Sequence, residues 1–196
     1  MKHFVIYVPG LGDKRMYAGV QKAALTTWRT VDLQPFYFAC NWADTTEPYT
    51  TKLQRLIDCI DAAHAKGYTV SLVAASAGSS LALTAFSQRS AAVHAVISIC
   101  GKLNNPQTVD AALLSVNPAF KESMLTYQRA EPTLTAANRN KILIVQASRD
   151  SYVPARDGEV TGAHTHRMHT AGHTFSIFMA LTFFRRIIIR FITQDA

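Results

Sequence analysis

Short apolar runs recur along the chain, separated by stretches in which apolar residues follow helical spacing. The runs are Phe4 to Val8, Pro35 to Ala39, Thr69 to Ala75, Val93 to Cys100 and Ile142 to Gln146, with a weaker one at Ala163 to Thr170. Each is long enough for a strand buried on both faces. Between them, helical spacing covers Lys14 to Thr27, Pro48 to Lys66, Ala77 to Gln88 and Phe175 to Ile192; in the second, Leu53, Leu56, Ile57 and Ile60 fall on one face. Such alternation predicts an α/β fold of three layers, a mainly parallel sheet of about six strands with helices on both faces, joined by right-handed crossovers.

One stretch breaks the rhythm. Gly101 to Asn140 separates two strands and carries breakers at Asn104-Asn105-Pro106, Asn117-Pro118 and Glu131-Pro132. A structureless loop of that length is improbable, so short helices are expected, forming a partial lid over whatever the sheet carries. No repeat, linker or block of like charge divides the chain, and residues 1–196 are read as a single domain.

Composition narrows the classes. The 196 residues are 48% hydrophobic and 17% charged, which suits one core and excludes a disordered chain. Twenty Lys and Arg against thirteen Asp and Glu give +7, but outside Lys14-Arg15 and the C-terminal arginines the cations are scattered singly, not in the stripe with stacking aromatics that nucleic acid requires. No nucleic-acid partner is expected. Cys40, Cys59 and Cys100 form no C-x-x-C pair, which argues against a disulfide framework or a cysteine zinc site and for a reducing compartment, the cytoplasm. The apolar start reads as a first strand, not a signal peptide. Arg185, Arg186 and Arg190 interrupt the long apolar stretch at Phe175 to Ile192, so no transmembrane segment is expected there.

Chemistry concentrates where strands end. The strand through Ala75 runs straight into Ser76-Ala77-Gly78 and a helix of small and apolar residues, a turn that lifts a serine hydroxyl onto an exposed corner beside a helix N-terminus. Ala74 and Gly78 flank Ser76 two residues away on either side, where the G-x-S-x-G elbow has its glycines; alanine for the first adds only a methyl. Taken alone, Ser76 reads more readily as a helix cap or turn residue than as a nucleophile, and the elbow context reverses that reading.

At these residues the chain resembles the α/β-hydrolase family, over its whole length from Lys2 to about Ile192 and in a compact form similar to minimal bacterial lipases. Three further segments are similar to the family's parts. Asp150-Ser151-Tyr152-Val153-Pro154 resembles its D-x-x-V-P acid turn, Gly172-His173-Thr174-Phe175 its histidine segment, and Pro9-Gly10-Leu11-Gly12 its H-G-x-G oxyanion loop with proline for histidine. The resemblance implies Ser76 as nucleophile, His173 as base, Asp150 as the acid that orients it, and the amides of Leu11 and Ala77 as oxyanion donors.

Rivals exist for two of these roles. Asp157 is the alternative acid, seven residues beyond Asp150. His164, His166 and His169 crowd near His173 and form an H-x-H-x-x-H that could be read as a zinc site; strand alternation, however, puts the first two on one face and the third on the other. No metal and no organic cofactor are expected.

The function implied is a serine hydrolase that cleaves a carboxylic ester of a small-molecule acyl substrate through an acyl-enzyme. Alternatives are a thioesterase or an amidase or peptidase on the same residues, or a non-catalytic binding protein of the same fold. Specificity is expected from Gly101 to Asn140 and from the Cys40-Asn41-Trp42-Ala43 loop. In the last helix, Ile177, Leu181, Phe184, Ile188 and Phe191 make a stripe expected to dock on the sheet; the alternative is contact with a second copy, as a homo-oligomer, or with a membrane surface.

Overall fold

In the computed structural model of the chain, residues 2–11 and 15–194 are described, the side chains of 15 and 16 excepted. The predicted helix start at Lys14 and the Gly12-Asp13 end of the loop after the first strand lie outside the described residues.

Six strands, β1 (His3–Val8), β2 (Leu33–Tyr37), β3 (Thr69–Ala75), β4 (Val93–Ile99), β5 (Ile142–Arg149) and β6 (His164–Ala171), form one sheet in the order β2-β1-β3-β4-β5-β6. Every neighbouring pair is parallel. The chain first builds outward from β1 to β2 and then crosses to the other side of β1, so the order reverses between β1 and β3. Connections after these two strands diverge and leave a crevice beyond their carboxyl ends.

Alternation along the strands divides the core. Ile6 and Val8 of β1, with Leu72 and Ala74 of β3, face a layer made by α2 (Tyr49–Ala65), α3 (Gly78–Arg89) and α5 (Pro118–Ala130). Val5 and Tyr7, with Val73 and Ala75, face the layer of α1 (Arg15–Thr26), α7 (His173–Leu181) and α8 (Arg185–Thr193). Pro35 sits within β2 because that strand is an edge, where a missing N–H costs no ladder bond. β5 runs three residues past the predicted end at Gln146, pairing Arg149 with Ala171 across an irregularity in the ladder.

Two expectations are corrected. The single helix from Phe175 to Ile192 is two helices, α7 and α8, with a turn at Thr182-Phe183-Phe184. The Trp28 indole donates to the Leu181 carbonyl at 2.7 Å, taking the acceptor that a continuing helix would offer to residue 185. Of the predicted stripe, Ile177, Leu181 and Ile188 are buried and Phe184 and Phe191 pack partly buried against the same cluster, while Phe183 is left exposed.

The second correction concerns Gly101 to Asn140. Its larger part is not a covering segment: α5 starts at Pro118 behind Asn117 and buries Phe120, Met124 and Tyr127 in the same cluster as α2 and α3. The short α6 (Ala136–Arg139), closed by a capping box between Thr135 and Asn138, leads back to β5. The crevice is lined by Lys102, by Thr108 to Asp110 after the Pro106–Thr108 turn, by α4 (Ala111–Ser115) with Val116, and by Phe120 in the first turn of α5.

Candidate active site

Ser76 is the first residue beyond β3 and sits at φ +50°, a left-handed conformation that non-glycine residues adopt at a cost of about 1–2 kcal/mol. The strain is held by neighbours. The Ser76 N–H donates to Ile99 O at 3.0 Å, and its carbonyl accepts from the amides of Ser79 and Lys102 at 3.1 and 3.2 Å. The corner is therefore bonded to the end of β4 as well as to its own helix.

Small residues around it have a steric reason. A Cβ on Gly78 would lie 2.6 Å from the Pro9 carbonyl oxygen and closer still to that of Val8, so α3 can begin against the end of β1 only with glycine there. A Cβ on Gly10 would come within 2.8 Å of the Ser76 Cβ. Ala74 is wholly buried, and its methyl is accommodated where the resemblance has glycine.

His173 opens α7, directly after Gly172, whose φ of +87° turns the chain out of β6. The Gly172 N–H donates to Arg149 O at 2.9 Å and so holds the end of β6 against the end of β5, where Asp150 begins its turn. His173 Nδ1 lies 2.7 Å from Asp150 Oδ2, and its Nε2 lies 2.8 Å from Ser76 Oγ. A carboxylate can only accept, so Nδ1 carries the proton and Nε2 is free to accept from the Ser76 hydroxyl. The other Asp150 oxygen accepts the amides of Tyr152 and Val153 at 2.9 and 3.0 Å.

Burial alone would raise the Asp150 carboxyl. The hydrogen bond and charge of His173, together with the Val153 and Tyr152 amides, outweigh it and hold the group below the usual carboxylate range. Beside it, burial pushes the Cys100 thiol up to about 12, with the Asp150 charge acting in the same direction, so the thiol stays neutral. Cys100, Asp150 and His173 are the one group of three such side chains, among the described residues, whose donor atoms all lie within 4.8 Å of one another. His164 and His166 instead lie against aromatic rings, Phe191 and Phe184 respectively, on the α8 side of the sheet.

The four strand-end segments thus meet. Leu11 borders the same cleft as Ser76 and His173, and the amides of Leu11 and Ala77 have no acceptor among the described residues. The cleft measures about 760 Å³. Its apolar lining includes Val109, Leu113, Val116, Phe120, Val153 and Ile177.

Asp157 is kept apart from this arrangement. It is fully buried and paired with Lys102, and it also accepts from Asn105 and Thr108. The Cys40 to Ala43 loop does not border the cleft either. Cys40 and Trp42 are core residues, and the Trp42 indole donates to Pro9 O at 2.9 Å, fixing the loop that precedes Leu11. Sequence reasoning missed this role for Trp42, the Lys102–Asp157 pair and the approach of Cys100 to Asp150. None has a motif; the one hint was a lysine and a tryptophan standing alone among small residues at strand ends.

No family model and no curated protein matches the sequence. Solved structures do. A structure from the metagenome-derived lipolytic enzymes LipS and LipT is 14% identical with a TM-score of 0.71, over 99% of this chain and 94% of that one. A carboxylesterase structure from the ammonia-oxidizing thaumarchaeon Nitrososphaera gargenis is 10% identical with a TM-score of 0.73, over 100% and 92%. MGS-MChE2, an α/β hydrolase enzyme from the metagenome of sediments from the lagoon of Mar Chica, Morocco, is 16% identical with a TM-score of 0.64, over 97% and 90%. With an all-parallel six-stranded sheet, helices on both faces and agreement over nearly the full length of each, the chain has the α/β-hydrolase fold.

Proposed function

We propose that the chain is a serine hydrolase that cleaves carboxylic esters through an acyl-enzyme. The observation that carries this reading is the hydrogen-bonded series Ser76, His173, Asp150, whose first two members line an apolar cleft. A serine hydroxyl is a weak nucleophile until a base within hydrogen-bond reach removes its proton. His173 Nε2 takes that proton as Oγ attacks the ester carbonyl, and Asp150 stabilises the imidazolium that forms. The developing oxyanion is met by the amides of Leu11 and Ala77, each such donor being worth about 100-fold or more in rate.

The collapse of the tetrahedral intermediate returns the proton from His173 to the leaving alkoxide and leaves an acyl group on Ser76. Water, deprotonated by the same imidazole, then attacks the acyl carbonyl and frees Ser76. These steps require no metal or organic cofactor. Lipolytic enzymes and carboxylesterases among the similar structures support an ester as the bond cleaved.

The test is labelling by a fluorophosphonate, with mass-spectrometric assignment of the adduct, alongside hydrolysis of acyl esters of increasing chain length and of their thioester and amide counterparts. Labelling at Ser76, lost in Ser76→Ala, and faster turnover of esters are expected. Labelling elsewhere, or ester hydrolysis retained in Ser76→Ala, rejects the assignment.

A further inference from the structure

Three residues stand first beyond three adjacent strands: Ser76 after β3, Cys100 after β4 and Asp150 after β5. The reaction uses the first and the third and has no task for the thiol between them. Cys100 is buried, and its backbone is left-handed at φ +46°, as at Ser76. Its N–H donates to Val145 O at 2.8 Å, which ties the end of β4 to the strand that carries Asp150. The Cys100 sulfur, an Asp150 oxygen and a His173 ring nitrogen all lie within 4.8 Å of one another. Thiol, carboxylate and imidazole are the donor types of a zinc site.

Space adjoins these donors on the side away from the ester cleft. A cavity of about 10 Å³, the room one water molecule needs, is bordered by Cys100, Gln146, Asp150 and Val153. A recess of about 430 Å³, bordered by Asp150, Ser151, Ala155 and Gly172, reaches the same carboxylate. Ser76 borders neither. Arg149 is the cation on the recess wall; it is exposed, and solvent screens its charge.

We propose that Cys100, Asp150 and His173 Nδ1 form an inhibitory site for a thiol-seeking divalent cation of the zinc type. Thiolate and imidazole select such an ion over magnesium or calcium, which take oxygen ligands. Bonds of about 2.3 Å to sulfur and about 2.0–2.2 Å to nitrogen and oxygen set tetrahedral ligand atoms roughly 3.3–3.6 Å apart. Donors within 4.8 Å therefore meet the ion after shifts of about 1.5 Å or less, and water fills the fourth position. On binding, the thiol proton leaves to solvent, and the single imidazole proton passes through solvent from Nδ1 to Nε2. Nε2 then donates where it accepted, so Ser76 loses its base, and the Asp150 charge is spent on the ion. The metal-free reaction stands as described; the cation stops it. The site itself is independent of the hydrolase reading; its inhibitory role rests on that reading.

The experiment separates the two. Ser76→Ala protein is titrated with Co²⁺, whose thiolate charge-transfer absorption reports a bound sulfur. The band is expected to appear, to be displaced by Zn²⁺, to vanish with Cys100→Ala, and to persist with Cys59→Ala, which removes the partly exposed thiol on α2. In the wild-type chain Zn²⁺ is expected to slow hydrolysis of a short-chain ester by about tenfold or more, without competing with the ester, while EDTA restores the rate and Mg²⁺ leaves it unchanged. With each protein measured against its own metal-free rate, Cys100→Ala is expected to need about tenfold more Zn²⁺ or above for the same inhibition, the loss of a ligand costing at least as much as the loss of an outer partner. Cys100→Ser serves if the alanine variant melts early, since a hydroxyl is a poor zinc ligand. No cobalt–thiolate band, a band lost with Cys59→Ala, equal inhibition by Mg²⁺, or unchanged zinc sensitivity in a folded Cys100 variant overturns the proposal. So does inhibition that rising ester concentration relieves, which would put the ion in the cleft at His173 Nε2. Cobalt binding at Cys100 without any ester hydrolysis by the wild-type protein supports the site and overturns its inhibitory role together with the hydrolase reading.

Discussion

Lys102 Nζ lies 2.5 Å from Asp157 Oδ2, with both side chains almost fully withdrawn from solvent. The same aspartate accepts from Asn105 Nδ2 at 2.6 Å, and its backbone carbonyl accepts the amides of Leu103 and Asn104. One residue therefore holds the whole turn that leads from the end of β4 toward α4 and the cleft wall. Asp157→Asn removes the negative charge and leaves a buried ammonium without its counter-ion, a change that costs about 3 kcal/mol or more. For a chain of this size the melting temperature should fall by roughly 6 °C or more, as calorimetry will read.

Acid should act through the same pair. Burial pushes the Asp157 carboxyl up, but the hydrogen bonds from Lys102, Asn105 and Thr108 and the Lys102 charge outweigh it and hold it below the usual range. A group whose folded value is depressed contributes fully above its unfolded value of about 3.9 and loses that contribution as pH falls through the folded value. Thermal stability of the parent should therefore fall on acidification below about pH 4, and the fall should be shallower in Asp157→Asn. Equal slopes would show that the pair adds nothing to acid sensitivity.

Much of this arrangement was legible in the chain. Five apolar runs and a weaker sixth gave the six strands: β1, β3, β4 and most of β5 are buried on both faces and cannot hide their composition, whereas the edge strand β6, largely exposed, gave the weak run. The residues at four strand ends pointed to one edge of a parallel sheet, which is where Ser76, Asp150, His173 and Leu11 meet. What escaped was whatever depended on partners distant in sequence. The break between α7 and α8 follows from Trp28, whose indole captures the Leu181 carbonyl from 153 residues away. Periodicity alone carries no trace of that bond. Likewise α5 looked like part of a cover because prolines bracket it, and only the apolar face formed by Phe120, Met124 and Tyr127 assigns it to the core.

The left-handed backbone at Ser76 predicts an uncommon pair of outcomes. Ser76→Ala removes the hydroxyl and keeps the strain, whereas Ser76→Gly removes both. Both variants should be inactive, yet Ser76→Gly should be more stable than Ser76→Ala by about 1 kcal/mol, less any loss from added freedom in the unfolded chain. Denaturant titration of the two variants measures the difference, and equal midpoints with equal slopes would mean the corner is not strained.

Asp150→Asn tests the acid. An amide at this position can still accept the Tyr152 and Val153 amides through its oxygen, so the turn should survive. Its NH2 group, turned toward His173 Nδ1, donates where the carboxylate accepted and favours the tautomer with the proton on Nε2, the wrong one for a base facing Ser76. Turnover should drop by on the order of a thousandfold or more at unchanged stability, a loss of the size such tautomer errors produce. A drop of less than about tenfold would return the search to another acid.

The α4 wall should govern acyl length. Leu113 borders the cleft and is partly exposed, so a larger side chain can be accommodated there without disturbing the core around α5. Leu113→Trp fills part of the cleft and leaves the Ser76, His173 and Asp150 side chains in place. Losing a few buried methylenes at about 0.8 kcal/mol each corresponds to a fall of roughly tenfold or more in kcat/KM for long-chain esters. Short-chain esters and a small fluorophosphonate, which do not reach α4, should react as before. The ratio of long- to short-chain rates in the folded variant is the measurement, and an unchanged ratio would remove α4 from the acyl site.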